Sequence, residues 1–382
     1  MTDCAVPRQS LTSLEDCFRA VVGDLLATDP GNDYWERQQA MEALLAWEHP
    51  LAASTVGRWL DRAIETQTSD GWLCFGATSN LVYGSFRIME AASMRNFVRT
   101  ASCAAYYVAP LASLYERTGD ESYRLAAHRQ LEAVLSGPRT SEGFLLMNAA
   151  APEVWVDEVY PVCGALARWG MIESRQAWVD EAYEQLRIAF DRLVDAESGL
   201  ARHVWRERPN SFPESTFWAR GNGWLACASA EVLAAAGTHP ESTGLKGRLA
   251  ELLCAMLRVQ DRSGMVHDCL DDPSSPLETS GTLMFAHAAG LALRCGLEVD
   301  GLATAAVRAI RAVPYVTTSA GSIGQVSLPP GGPGIPLGSM ALAQSFFLSA
   351  AYHLQTELGL VRPWEATPAP ELAVAPGREQ ES

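Results

Sequence analysis

The chain is short of positive charge. Its 382 residues hold 29 Lys and Arg against 45 Asp and Glu, a formal net charge of −16. That surplus repels phosphate backbones and anionic lipid, so neither nucleic acid nor a membrane is an expected partner. An anionic ligand would need a local basic pocket. Long apolar runs are missing as well, since none reaches the roughly 18 uninterrupted residues of a membrane-spanning helix. The nine cysteines (4, 17, 74, 103, 163, 227, 254, 269 and 295) are odd in number and form no Cys-x-x-Cys pair. Several sit in apolar helical context, which suits reduced core thiols in a cytoplasmic protein. Residues 1–10 contain Asp3, Pro7 and Arg8 and no apolar core. They read as a flexible N-terminus without a secretory signal. A P-loop, a dinucleotide glycine fingerprint and a zinc-type Cys/His pattern are all absent, so no cofactor is expected. Alternating β-branched runs are few. Only Val313–Thr318 and Ser322–Ser327 suggest short strands.

What remains is helix after helix. The periodicity predicts Leu11–Ala27, Tyr34–Trp47, Leu51–Thr66, Ala101–Arg117, Glu121–Leu135 and Asp157–Trp169. It continues with Arg175–Leu193, Asn222–Ala236, Glu241–Val259, Glu278–Arg294, Gly301–Ala312 and Leu337–Leu358. Gly119 stands where a helix-ending glycine belongs, and Asp120 caps the helix that follows. Twelve helices taken as six pairs suggest an all-α, (α/α)6 barrel with six inner and six outer helices. The Ala- and Gly-rich segments Asn222–Ala236, Glu278–Arg294 and Leu337–Leu358 suit the inner ring. One barrel domain over residues 11–360 is expected, followed by a Pro/Ala/Glu-rich disordered tail at 366–382.

The most informative stretch runs from Ser215 to Trp224, with Arg220–Gly221–Asn222–Gly223–Trp224 at its end. Glycines flanking Asn222 permit a tight turn or close approach to a ligand. Arg220 brings a planar fork suited to a carboxylate, and Trp224 a flat face suited to a sugar ring. The plain alternative is a helix start with a solvent-facing arginine and a core tryptophan. A second stretch, Trp155–Val156–Asp157, puts a carboxylate beside an indole at a helix start. Asp157 is either a cap or an acid able to deliver a proton. His203 lies in an expected loop between Arg202 and Trp205. In the block from Gly264 to Thr282, Asp271–Asp272–Pro273 reads as a turn and Glu278 as a helix start. His267, Asp268 and Asp271 lack the spacing of a metal site, and no metal is expected.

These blocks, in this order, resemble the unsaturated uronyl hydrolases of glycoside hydrolase families 88 and 105, the unsaturated rhamnogalacturonyl hydrolase group above all. The matching pieces include Leu114–Asp120, Arg139–Gly143, Trp155–Asp157, Gly199–Trp205, Arg220–Trp224 and His267–Phe285. The resemblance implies an (α/α)6 barrel acting on a small saccharide that ends in a 4,5-unsaturated uronic sugar. An aspartate would protonate C4 of the vinyl ether, and water would add at C5. The hemiketal then opens and releases the aglycone. Asp157 would be that general acid/base, with Trp155, His203, Arg220, Asn222 and Trp224 binding the sugar. One departure stands out. The family carries a second acid about ten residues before its Leu-Tyr-Glu segment, whereas this chain has Cys103–Ala104 in that region. A like charge that helps hold a proton on the first acid would be gone. This keeps open a divergent lyase, dehydratase or isomerase on the same barrel, or a non-catalytic sugar-binding protein.

Overall fold

The computed structural model describes residues 13–28, 34–65, 67–73, 107–147, 151–329 and 331–360. The expected flexible N-terminus, the 366–382 tail and Cys103–Ala104 lie outside them.

The ring begins with α1 (Leu14–Ala27), α2 (Tyr34–Ala46), α3 (Ala52–Glu65), α4 (Val108–Thr118) and α5 (Glu121–Leu135). Then come α6 (Val159–Ile172), α7 (Gln176–Leu193), α8 (Ala219–Ala236) and α9 (Ser242–Arg258). It finishes with α10 (Thr279–Arg294), α11 (Leu302–Ala312), α12 (Ala341–His353) and the single turn α13 (Gln355–Leu358). The even-numbered helices α2 to α12 each touch the next, and α12 returns to α2, which closes an inner ring. The odd helices α3, α5, α7, α9 and α11 lie outside, and α1 backs α12. This is the (α/α)6 barrel.

Burial follows from position. Outer α11 buries one stripe, Leu302, Ala305, Ala306, Ala309 and Ile310, at helical spacing. Inner α8 and α10 are buried nearly all round, which is why they are built of small residues. The close approaches are specific. A Cβ on Gly223 would sit 2.7 Å from Met284 Cβ, and one on Gly281 would sit 2.6 Å from the Ala219 backbone. Junction chemistry holds too: Gly119 has φ 68°, and the Asp120 carboxylate accepts from Ser122 N.

The strands are short and gather near the N-terminal ends of the inner helices. Antiparallel β1 (Glu153–Trp155), β2 (Val204–Arg206) and β3 (Ser211–Glu214) form one sheet. Two further pairs join β4 (Val266–His267) to β5 (Leu277–Glu278) and β6 (Val326–Ser327) to β7 (Leu337–Gly338). Two expectations are corrected. Val313–Val316 is a 3-10 turn, helped by Pro314, which has no N–H to give a sheet. Leu337–Gly338 belongs to a strand pair, so the last inner helix starts at Ala341.

Candidate active site

The β1–β2 register builds the centre. Trp155 lies opposite Val204, and Val156 N donates to His203 O at 3.1 Å. Asp157 therefore leaves its strand beside His203, although 46 residues separate them, and Asp157 Oδ2 meets His203 Nε2 at 3.0 Å. The Asp157 side chain is 18% exposed and the His203 side chain 6%. Asp157 sits in a 3-10 turn, Val156–Glu158, ahead of α6 and caps no helix through its side chain. Trp155 meets the His203 ring edge-on at 5.5 Å. Its indole is fixed by a 2.7 Å bond from Nε1 to Glu153, which Arg206 also grips.

The Arg220–Trp224 motif enters one turn deeper than expected, because α8 starts at Ala219 and holds all five residues. Its glycines serve helix packing rather than a turn, since a Cβ on Gly221 would meet Val156 Cγ1 at 2.9 Å. Arg220 is buried and lies over the Trp218 ring, 4.2 Å from its centroid. Its Nη1 donates to Ser327 O and, at 3.3 Å, to Ser280 Oγ. Burial lowers the guanidinium pKa, while the carboxylates of Glu278, Asp157 and Asp268 raise it in opposition. The cation is thus held at the N-terminal ends of α8 and α10, within the field of four acids, Glu36 being the fourth.

Three residues around Arg220 were not assigned to the site from the sequence. Trp218, rather than Trp224, touches both His203, at 4.8 Å between rings, and Arg220. Its Nε1 donates to Asp268 Oδ1 at 3.1 Å, and Gly331 lies close against its far edge. Glu278 caps α10 by accepting from Ser280 N and Gly281 N, and it also accepts from Ser327 N at 2.9 Å. Asp268 is buried, and burial with the nearby Glu278 charge pushes its pKa up to about 6. The Trp-x-Arg spacing and the acid before Thr-Ser-Gly were the available signals. Neither says which loop will fold over them.

Asn222 and Trp224, expected to bind the sugar, are both buried. Asn222 has no exposed surface, and its amide is spent on backbone. It accepts from Ala201 N at 2.7 Å and donates to the carbonyls of Ala201 and Trp218 at 2.9 and 3.0 Å. Trp224 lies in the lumen, 4.8 Å from the Tyr160 ring and 5.9 Å from Phe346. Among the described residues no cluster of His, Cys, Asp and Glu could hold a metal ion.

Two tests arise here. Asn222→Ala should cost about 3 kcal/mol in denaturant unfolding, because it strands buried backbone groups of Ala201 and Trp218. A loss below about 1 kcal/mol would remove its role in fastening residues 201 and 218 together. Asp268 concerns pH. Its carboxyl keeps a proton in the folded state above the unfolded value near 3.9, so the folded state binds more protons between about pH 4 and 6. Stability from this group is present below that window and is lost as pH rises through it. Asp268→Asn should flatten this decline in unfolding measured across the window. An unchanged slope would assign the decline to other groups.

Comparison with known proteins bears on the family and the fold. Residues 32–331 match Glycosyl Hydrolase Family 88. The chain is 34% identical over 183 residues to the unsaturated rhamnogalacturonyl hydrolase YesR of Bacillus subtilis, covering 46% of this chain and 53% of that protein. In that match it spans about half the length of its relative. A structure of a possible family 105 member from Klebsiella pneumoniae superposes with a TM-score of 0.74 at 24% identity, covering 94% of this chain and 96% of that one. The unsaturated glucuronyl hydrolase of Bacillus sp. GL1 gives 0.65 at 12%, covering 90% and 96%. These two likenesses speak for the shared fold. With the family match over residues 32–331, the chain belongs to glycosyl hydrolase family 88.

Proposed function

We propose that this protein is a glycosidase that removes a 4,5-unsaturated uronic sugar from a small saccharide or glycoconjugate, with residues 11–360 as its catalytic domain. The supporting observation is the Asp157–His203 pair at 3.0 Å, walled by Trp155 and Trp218 and facing the field of buried Arg220. Asp157 gives its proton to C4 of the vinyl ether. The developing positive charge at C5 is met by water, and the hemiketal that forms opens to release the aglycone. Asp157 recovers a proton from that water, so the cycle consumes one water and no cofactor. His203 orients the acid through Nε2. The Arg220 charge attracts the uronic carboxylate and counters the protein's overall negative charge. Trp155 and Trp218 supply apolar walls for the flat unsaturated ring. Asn222 and Trp224 position these groups from behind. A cytoplasmic setting belongs to the proposal and is supported by free thiols at Cys17, Cys163, Cys227 and Cys269, all buried. No helix among the described residues is long and apolar enough to cross a membrane.

The test is a panel of lyase-generated unsaturated disaccharides monitored in the short ultraviolet. Hydrolysis abolishes the absorbance of the vinyl ether. A lyase acting on saturated oligosaccharides would create it, and that result would overturn the assignment. Arg220→Lys adds a second check. Lys keeps a charge but loses the fork and the flat stack on Trp218. KM should rise about tenfold, with kcat falling less. An unchanged KM would leave Arg220 a purely structural residue.

A further inference from the structure

The lumen holds a chamber at the C-terminal ends of the inner helices, away from Asp157. Its volume is about 440 Å³, and residues of all six inner helices bound it. The rings of Tyr160, Trp224 and Phe346 pack tilted and edge-on between it and the catalytic end, and Phe346 also meets His287 of the chamber wall edge-on at 5.5 Å.

The wall carries more negative than positive charge. Three carboxylates, Glu42, Glu116 and Glu231, face it with one guanidinium, Arg168. Arg168 is spent on Glu42 at 2.7 Å and Glu116 at 2.6 Å. Glu231 meets no guanidinium or ammonium among the described residues: Gln39 Nε2 donates to it at 2.8 Å, and His287 Nε2 stands 3.4 Å away. Gly164 makes room for this carboxylate, since a Cβ there would lie 2.5 Å from Glu231 Oε2. Burial raises the Glu231 pKa, and the contacts with His287 and Tyr160 oppose that shift without cancelling it. Imidazoles line the same wall. His287 is 2% exposed, and its Nδ1 pairs with Ser349 Oγ at 2.9 Å. Its Nε2 makes no well-aligned hydrogen bond among the described residues, nor does His353 Nδ1.

We propose that this chamber binds a small hydroxylated ammonium ion, its cation against Glu231 and its hydroxyls on the His287, Ser349 and Gln39 side chains. A buried carboxylate gains most from a cation that excludes water and brings its own hydrogen-bond donors. The unsaturated uronic sugar, an anion, is repelled by the same surplus, so the two ends of the lumen take ligands of opposite charge. The cluster of three rings lies between the two ends.

Isothermal titration calorimetry with glucosamine, glucose and glucuronate as probes tests this at neutral pH. Glucosamine should bind saturably and at least about tenfold tighter than glucose, which shares its hydroxyls but not its charge. Any glucuronate heat should belong to the Arg220 end and stay unchanged in Glu231→Gln. Glu231→Gln, checked for a native unfolding transition, should weaken glucosamine about tenfold, while Asp157→Asn should leave its binding unchanged. Equal binding of glucose, absence of saturable glucosamine heat, or loss of glucosamine binding in Asp157→Asn would overturn the proposal. If Glu231→Gln does not fold, the comparison of glucosamine with glucose on the native protein decides alone.

Discussion

Asp157→Asn is expected to lower turnover of an unsaturated disaccharide by at least ~10²-fold, the lower end for general acid–base catalysis. The substitution removes the transferable proton and little else. Asn can still hydrogen-bond His203 Nε2 from the position where Asp157 Oδ2 now stands at 3.0 Å. No helix cap is lost, because the side chain caps none. Stability should therefore change by less than about 1 kcal/mol, within the ordinary range for a site without a special structural role. The two measurements together discriminate. A stable variant with lost turnover fits a general acid. A stable variant that still clears the ultraviolet absorbance would leave Asp157 a spectator and place the proton donor elsewhere.

Glu278→Ala should have the largest effect on folding, about 3–5 kcal/mol in denaturant unfolding. The carboxylate is fully buried and accepts from Ser280 N at 2.9 Å, Gly281 N at 2.6 Å and Ser327 N at 2.9 Å. It is also the largest favourable electrostatic influence on the buried Arg220 cation. Alanine leaves three backbone donors unmet and a buried charge less compensated. Glu278→Gln should fall between, because its amide oxygen can still accept while its NH2 must face one of those donors. An alanine variant within about 1 kcal/mol of the native protein would show that water replaces the carboxylate without cost.

The helices were legible because their signals are local. Gly119 and Asp120 mark a junction by their own conformational preferences, and the stripe in α11 needs only its eleven residues. The inner ring was readable from the small residues of α8, α10 and α12. The acid was legible as a type beside a tryptophan. Its partner was not, since the Asp157–His203 contact depends on a strand register between distant segments. The Arg220 motif misled in one respect. Its glycines suggest a ligand-facing turn, yet their function is to let Val156 and Met284 press against α8. The place of Trp218, Asp268 and Glu278 in the site escaped because three separate loops converge on Arg220, and pairing between loops leaves no periodic trace. The deduced replacement of the family's second acid at Cys103–Ala104 falls outside the described residues.

The closure of α12 onto α2 sets an order on folding. Trp47 Nε1 donates to Leu348 O at 3.0 Å across 301 residues of sequence, and Ser345 Oγ donates to Glu36 O across 309. These contacts reward the chain only after the whole intervening loop has been ordered, so the seam should form late and slowly. On the ribosome, the helical hairpins from α2 to α10 can dock onto one another as they emerge, while the edge of α2 waits for a partner that has not been made. Until α12 arrives, an open crescent exposes apolar flanks meant for the ring interior, which makes this the stage most exposed to aggregation and to capture by chaperones.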